Sequence, residues 1–450
     1  MIAILDNYAW LDLVELGSAR MQIIKDALTL WTRPGHPAEP SVAVEFFESI
    51  GGKLGVPRWF YCKELPKLLP DEPWDVEYAT VKPHPRSDFP EFDGVLRDSQ
   101  EEALMALLSE LSDPRCLGGI LQASCGSGKT VAACALIGAV RVPTVVLVHK
   151  TDILKQWQEA MDKFLPDAKV VTIKGNSPDT TDADVVLAMY QTVRSRGLEL
   201  ADLGLFDRAG LVVIDEMHRV PSDTFSEVLS TFPAHWRVGL TATPRRKDGL
   251  EKGLKWVVGP VLVKMKSQKV TGAYWQVQWD HADYKIPRTF GGTVNQAKLI
   301  TDLAEHPARN MWIAGAAVKA VERGRQTLIL TDRKVQVTIL VEEIGKRLPD
   351  ARVAPYVGGM KEKERLTAKV ADVIVATYAM FSEGTDVPTL DTLILVTPRS
   401  DIEQVVGRIQ RPGESKCEPF IVDIVDNLDP CIRMAKKREK QVAPIGFTRV

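Results

Sequence analysis

The sequence has 450 residues, 45% of them hydrophobic and 26% charged. That is the balance of an ordinary globular chain, and at roughly 100–200 residues per domain it predicts two to four compact units. A collagen-like repeat, wholesale disorder and a disulfide-stapled mini-protein are excluded. With 57 basic and 59 acidic residues the net charge is −2, so a polyanion must be met by a local groove rather than by a uniformly basic surface.

No membrane association is expected. The longest apolar region, Val131 to Val148, is interrupted by Arg141 and Pro143, and a span needs about 20 apolar residues. The start lacks a basic n-region and carries Asp6 and Asp12 early, so it does not read as a secretory signal. The six cysteines (Cys62, Cys116, Cys125, Cys134, Cys417, Cys431) form no CxxC pair or zinc spacing. All but Cys125 read as small buried hydrophobes, and scattered thiols suit a reducing compartment: the cytoplasm, or the nucleus in a eukaryote.

Three domains follow in chain order: 1–90, 91–265 and 266–450. The first is rich in aromatics with Lys53, Arg58, Lys63 and Lys67 interleaved, and it ends in a proline-rich connector. Most of its aromatics read as core. Its best exposed-loop candidate is Gly51 to Trp59. In the second domain the runs TVVLVH, KVVTI, DVVLAMY, LVVIDE and RVGLTAT are short, Val/Ile/Leu-rich and scarcely alternating, the pattern of strands buried on both faces of a parallel sheet. Between the first two, Ile153, Leu154, Trp157, Met161 and Leu165 recur at helical spacing. The third domain repeats the style with TLILT, ARVAPYV, DVIVATY, DTLILV and PFIVDIV as strands. The fold class is therefore α/β: two tandem parallel-sheet lobes behind a small N-terminal accessory domain. The terminal charge run MAKKREK reads as a solvated helix face.

The strongest local signal is Ala123, Ser124, Cys125, Gly126, Ser127, Gly128, Lys129, Thr130 between an apolar run and a helical pattern. This is the strand–loop–helix setting of a P-loop. Its glycines let successive N–H groups turn toward phosphate oxygens, and the helix adds its positive dipole end. Lys129 can reach the β- and γ-phosphates of ATP, and the Thr130 hydroxyl can ligate Mg²⁺. The apolar run Leu211–Ile214 ends in Asp215 and Glu216. A buried strand places Asp215 at the carboxyl edge of the sheet, where it suits Mg²⁺, with Glu216 as the base that orients water.

Asp215–His218, DEMH, resembles the DExH box of superfamily 2 helicases, and further segments resemble that family's motifs in order. Arg97–Gln100 resembles the Q motif, implying an adenine contact for Gln100. Residues 145–151 resemble motif Ia and 188–192 motif Ib, implying nucleic-acid contacts at Lys150 and Thr192. Leu240–Pro244 resembles motif III, implying that His218, Thr241 and Thr243 couple the nucleotide and nucleic-acid sites. Leu330–Arg333 resembles motif IV and Ala376–Thr377 with 383–388 motif V, with Thr331 and Thr377 as candidate backbone contacts and Gly384 and Asp386 as nucleotide contacts. Gln404–Arg411 matches the QxxGRxxR of motif VI. The family implies RecA-like lobes.

Motif VI also stands on periodicity. Gln404, Gly407, Arg408 and Arg411 share one helix face, and Ile402, Val405, Val406 and Ile409 the other. The apolar face would anchor, and the polar face would offer Arg408 and Arg411 to the γ-phosphate as arginine fingers, with Gln404 beside the nucleotide.

The LTATPRRKDGLEKGL stretch and the two-lobe layout resemble the UvsW-like, RecG-like and XPB-like branch of superfamily 2. That implies an ATP- and Mg²⁺-dependent helicase acting, as a monomer, on forked or junction DNA. A double-strand translocase or restriction-type motor subunit is the alternative, followed by an RNA helicase and a nucleotide-gated DNA clamp.

Overall fold

We describe the protein from a computed structural model. It describes residues 2–34, 40–79, 84–113, 115–124, 126–174, 179–219, 222–242, 248–265, 271–281, 284–381, 387–410 and 417–450, with backbone alone at 219, 222–225, 403 and 404. The chain divides into two compact units, Met1–Ser267 and Gln268–Val450. Among the described residues no helix is long and apolar enough to cross a membrane.

The first unit opens with a five-stranded sheet in the order Glu48–Ile50, Lys53–Val56, Ala9–Asp12, Ile2–Leu5, Asp75–Tyr78. Its pairings are antiparallel except the last. Gly51 and Gly52, both with positive φ, make the tight hairpin turn. Only 51–53 of the expected 51–59 loop are exposed. Leu54 and Val56 are strand residues in the core, Gly55 between them lies against the Trp10 ring, and Arg58 and Trp59 are buried. The apolar character of that segment wins over its glycines and charges.

Arg58 is buried because it fastens this sheet to the rest of the unit. Its guanidinium donates to the carbonyls of Ala234 (2.6 Å) and His235. Arg237 returns the bond, donating Nη2 to the carbonyls of Asn7 (2.9 Å) and Phe232 (2.9 Å) and Nη1 to that of Val257 (3.2 Å). Burial pushes Arg237 down to about 10, still charged at neutral pH, so losing these carbonyls would strand a buried cation. Phe46 and Phe60 meet Trp256 edge-on at 5.8 and 5.2 Å. A Cβ at Gly253 would lie 2.1 Å from the Phe46 ring, so this approach needs glycine. One hydrophobic core runs from Ala3 through Met265.

The second half of this unit carries a seven-stranded, all-parallel sheet. In chain order its strands are Gly118–Ala123, Thr144–Val148, Val170–Ile173, Val185–Met189, Leu211–Asp215, Trp236–Thr241 and Val261–Met265. Across the sheet they stand 3-4-2-5-6-1-7. The helix Thr151–Phe164 buries the predicted stripe of Ile153, Leu154, Trp157 and Met161. Each such side chain contributes about 1.5–3 kcal/mol of transfer free energy.

The second unit repeats the design. Its strands are Gly272–Trp279, Thr327–Thr331, Val353–Tyr356, Val373–Thr377, Thr392–Leu395, Phe420–Asp426 and Phe447–Arg449. All pair in parallel, and the order is again 3-4-2-5-6-1-7. The two lobes are thus RecA-like sheets of the same topology. Periodicity alone did not single out Gly272–Trp279 or Phe447–Arg449, the first polar on much of its length and the second only three residues long. The terminal charge run lies on the helix Asp429–Val442. It is not wholly solvated: Arg438 is buried and pairs with Asp423 at 2.8 Å.

Candidate active site

The first strand of the first parallel sheet ends at Ala123, buried, and the helix Lys129–Val140 begins six residues later. The turn between them is held from within. Ser127 donates its N–H (3.2 Å) and its hydroxyl (2.6 Å) to the Ser124 carbonyl. Gly128 sits at φ +86°, and a Cβ there would lie 2.1 Å from Gln100 Nε2. Glycine is therefore required twice, by conformation and by space. Gln100 is buried, donates to the carbonyls of Ser127 (3.4 Å) and Gly128 (3.3 Å), and accepts from Arg97 N–H (2.9 Å). The Q-motif glutamine thus braces the loop itself. Ser124, Gly126, Ser127, Lys129 and Thr130 stay partly exposed, open to a ligand. Cys125 lies outside the described residues.

The fifth strand delivers Asp215 and Glu216 to the same edge. Lys129 Nζ lies 2.5 Å from Glu216 Oε1, both side chains largely buried. Glu216 holds φ +47°, a region costly for a residue with a Cβ, and its N–H donates to Asp215 Oδ1 at 2.9 Å. Its second oxygen lies 3.3 Å from His218 Nδ1, which is 2.9 Å from Thr241 Oγ1. Lys129, Glu216, His218 and Thr241 therefore form one continuous polar chain from the P-loop to the end of the sixth strand. Thr243 lies outside the described residues.

Asp215 is buried, and burial pushes its carboxyl above the usual range while the Lys129 charge pulls it back. Sequence reasoning took Trp157 only as part of an apolar stripe. Its indole N–H donates to Asp215 Oδ2 at 2.9 Å. A tryptophan in an otherwise aliphatic stripe was the available signal, because a buried indole N–H needs an acceptor. Each Asp215 oxygen accepts one hydrogen bond, which leaves lone pairs on both. With the partly exposed Thr130 hydroxyl this makes an all-oxygen donor set suited to Mg²⁺.

The candidate nucleic-acid residues differ in accessibility. Lys150 is exposed at the start of its helix and Thr192 is half-buried. In the second unit Thr377 is buried at the end of its strand. Thr331 is fully buried, and its hydroxyl donates to Gln336 Oε1 at 2.5 Å and accepts from Arg333 N–H at 3.1 Å. It serves as a local cap there, which is the competing use of a threonine at such a position.

The helix Glu403–Ile409 buries Val405, Val406 and Ile409, with Ile402 just ahead of it. Arg408 stands off that face, its guanidinium 5.9 Å from the Phe381 ring centre. Gly384, Asp386 and Arg411 and the Gln404 side chain lie outside the described residues.

Two family descriptions match the chain: "Type III restriction enzyme, res subunit" over residues 93–246 and "Helicase conserved C-terminal domain" over 312–415. A protein of Acanthamoeba polyphaga mimivirus named as an ATP-dependent RNA helicase is 28% identical over 392 residues, 84% of this chain and 71% of that one. The DNA 3'-5' translocase XPB2 of Sulfurisphaera tokodaii is 26% identical over 398 residues, 77% of this chain and 84% of that one. Among solved structures, S. cerevisiae Dbp5 bound to RNA and ADP BeF3 covers 79% of this chain and 94% of its own at 16% identity, with a TM-score of 0.50. That likeness is one of fold.

Proposed function

The chain is a superfamily 2 DExH-box helicase, a nucleic-acid-dependent ATPase, and from that premise we propose that it unwinds or branch-migrates forked and junction DNA. The observation that carries the chemistry is the polar chain from Lys129 through Glu216 and His218 to Thr241. Lys129 is held by Glu216 at 2.5 Å. When ATP binds, Lys129 turns to the β- and γ-phosphates, beside the N–H groups of the loop 124–128. Glu216 is then released to accept a proton from the attacking water. His218 and Thr241 carry the change toward the nucleic-acid segments, which is how turnover becomes stimulated. Thr130 and Asp215 would hold Mg²⁺, which supplies positive charge to the β- and γ-phosphate oxygens. We assign the adenine contact to Gln100, the other nucleotide contacts to Cys125, Gly384, Asp386 and Gln404, and the arginine-finger role to Arg408 and Arg411. Lys150, Thr192 and Thr377 are assigned to the nucleic-acid backbone. Such contacts read phosphates, so this core has little base specificity.

The likeness to a DNA translocase over 77% of this chain supports DNA. The likeness to a protein named as an RNA helicase supports the second reading, RNA. Phosphate release and strand displacement on matched forks, four-way junctions, simple overhangs and RNA duplexes separate the two. Junction-stimulated turnover with displacement supports the proposal. Stimulation by RNA alone would replace it, and binding without turnover would leave a clamp.

The N-terminal sheet is assigned to recognition of the branch point. It shares one core with the lobe behind it, so deleting residues 1–90 would strip that core as well as the recognition surface. Surface variants test the role instead. Trp31 is exposed on the strand Thr29–Trp31, which pairs antiparallel with Ala43–Glu45 beside that sheet in the chain, and Lys53 is exposed next to the Gly51–Gly52 turn. Trp31→Ala with Lys53→Glu should lower fork affinity without lowering the melting temperature.

A further inference from the structure

The most exposed large hydrophobic side chain of the described residues is Phe290, at 115% of its reference surface. A single exposed aromatic is ordinary on a protein surface. What sets this one apart is the structure built beneath it.

Phe290 stands at the tip of a tight hairpin. Arg288 and Val294 form an antiparallel bridge. Thr289 N–H donates to the Thr293 carbonyl at 2.8 Å, and the two threonine hydroxyls lie 2.8 Å apart. Gly292, at φ +76°, closes the turn with its N–H on the Thr289 carbonyl at 2.9 Å. Arg288 Nη1 reaches over the tip to the Gly292 carbonyl at 2.7 Å. At the base, Asn295 N–H donates to the Pro287 carbonyl at 2.8 Å. Together these bonds fix the backbone on either side of Phe290, and so hold it at the tip of the hairpin.

The hairpin also has a small hydrophobic core of its own. Tyr284, Ile286 and Val294 pack on Leu299, Leu303, Leu428 and Cys431. The helix that follows, Gln296–Glu305, is pinned by Arg333, which donates Nη2 to the Ala297 carbonyl (2.9 Å) and Nε to Thr301 Oγ1 (3.0 Å). Arg333 closes the motif IV segment at the end of the second strand. The hairpin itself follows Trp279, the carboxyl end of the first strand. It therefore rises from the carboxyl edge of the second sheet, the edge at which open α/β sheets take their ligands. From Tyr284 to Thr301 the sequence carries Lys285, Arg288 and Lys298 and no carboxylate; Lys298 is paired with Asp302 at 2.6 Å, so Lys285 and Arg288 are the cations the hairpin itself offers.

We propose that this hairpin is a base-stacking site, with Phe290 taking the face of an unpaired nucleobase and the cations of the segment accompanying the phosphates on either side. An aromatic ring beside cations is the arrangement that holds single strands without reading sequence. The proposal rests on the chain being a nucleic-acid-dependent motor and adds a contact to a base rather than to the backbone. DNA and RNA share the chemistry.

The test uses the full chain with Phe290→Ala and Phe290→Trp, and single-stranded DNA and RNA 20-mers of one sequence. Stacking contributes about 1–3 kcal/mol per base, so the alanine variant should bind about 5–150-fold more weakly. Its melting temperature and nucleic-acid-free ATP hydrolysis should stay at wild-type values. The tryptophan variant should keep affinity, and its added fluorescence should be quenched by the strand. The arm that shows the loss, DNA or RNA, identifies the strand. Unchanged affinity in the alanine variant on both, with no added quenching in the tryptophan variant, overturns the proposal while nucleic-acid-stimulated turnover still stands. Absence of any stimulated turnover in the wild type overturns the motor reading and this proposal together.

Discussion

Trp157 donates its indole N–H to Asp215 Oδ2 across 2.9 Å, with both side chains buried. Trp157 belongs to the helix Thr151–Phe164, which starts directly after the exposed Lys150. One hydrogen bond thus joins the segment assigned to nucleic acid and the carboxylate assigned to Mg²⁺. A hydrogen bond to a charged acceptor is worth about 1.5–3 kcal/mol. Trp157→Phe removes the donor and keeps most of the ring. The Mg²⁺ concentration for half-maximal ATP hydrolysis should then rise on the order of tenfold, since about 1.4 kcal/mol is tenfold in an equilibrium constant. Nucleotide binding measured without Mg²⁺ should be unchanged. An unaltered Mg²⁺ titration would show that the bond only packs the helix.

The Lys129–Glu216 pair at 2.5 Å makes the two obvious active-site variants behave differently. Glu216→Gln neutralises this partner and weakens its hold on Lys129. Nucleotide affinity should hold or rise, while turnover falls by about 10²–10⁴ for a lost general base. Lys129→Ala removes the phosphate contact and leaves the largely buried Glu216 without this cation, so turnover should vanish and the melting temperature should drop as well. Nucleotide titration, phosphate release and thermal melting of the two variants, side by side, check both halves.

How far the sequence carried depends on which residues are asked about. Strands such as Leu211–Asp215 and Val373–Thr377 are buried along their whole length, and an unbroken Val/Ile run states that directly. The Asp215–Glu216 ending and the P-loop glycines were legible for the same reason: each residue type is demanded by a local geometry. The destination of Arg58 was not legible. Its acceptors are carbonyls of residues 234 and 235, far along the chain, and carbonyls leave no trace in residue identity. Thr331 shows the same gap, because a threonine ending a strand can face solvent or cap its neighbour with no change in the letters around it. Trp157 lay between these cases: its burial was readable from the helical stripe, and its acceptor was not.

Arg408 gives a cleaner test than most arginines. The helix that carries it is fixed by Val405, Val406 and Ile409 on the opposite face. Arg408→Ala therefore removes the guanidinium, and with it the approach to the Phe381 ring at 5.9 Å, but not the packing. A cation over an aromatic is worth about 0.5–1 kcal/mol at an exposed site and about 2 kcal/mol when desolvated, so removing the half-buried Arg408 should lower the melting temperature without unfolding the lobe. Nucleic-acid-stimulated hydrolysis should fall by about 10³–10⁵, the range for a lost arginine finger. Wild-type turnover in the folded variant would remove the assignment.

His235 sets an acid limit on the first unit. Burial, and then the neighbouring Arg58 charge, push its imidazole down to about 4. Its ring lies 6.3 Å from that of Tyr78 in the N-terminal sheet. The folded form thus keeps His235 neutral over a range in which the unfolded chain, near 6.5, has already taken a proton. Protons bound by the unfolded state alone make stability rise with pH. The contribution is therefore complete above about pH 6.5 and is lost as pH falls toward 4. At this domain size each kcal/mol lost lowers the melting temperature by about 2–4 °C. The wild-type melting temperature should fall steadily between pH 6.5 and 4, and His235→Phe, which cannot take the proton, should fall less across the same window. Parallel curves for the two proteins would show that the acid sensitivity arises elsewhere.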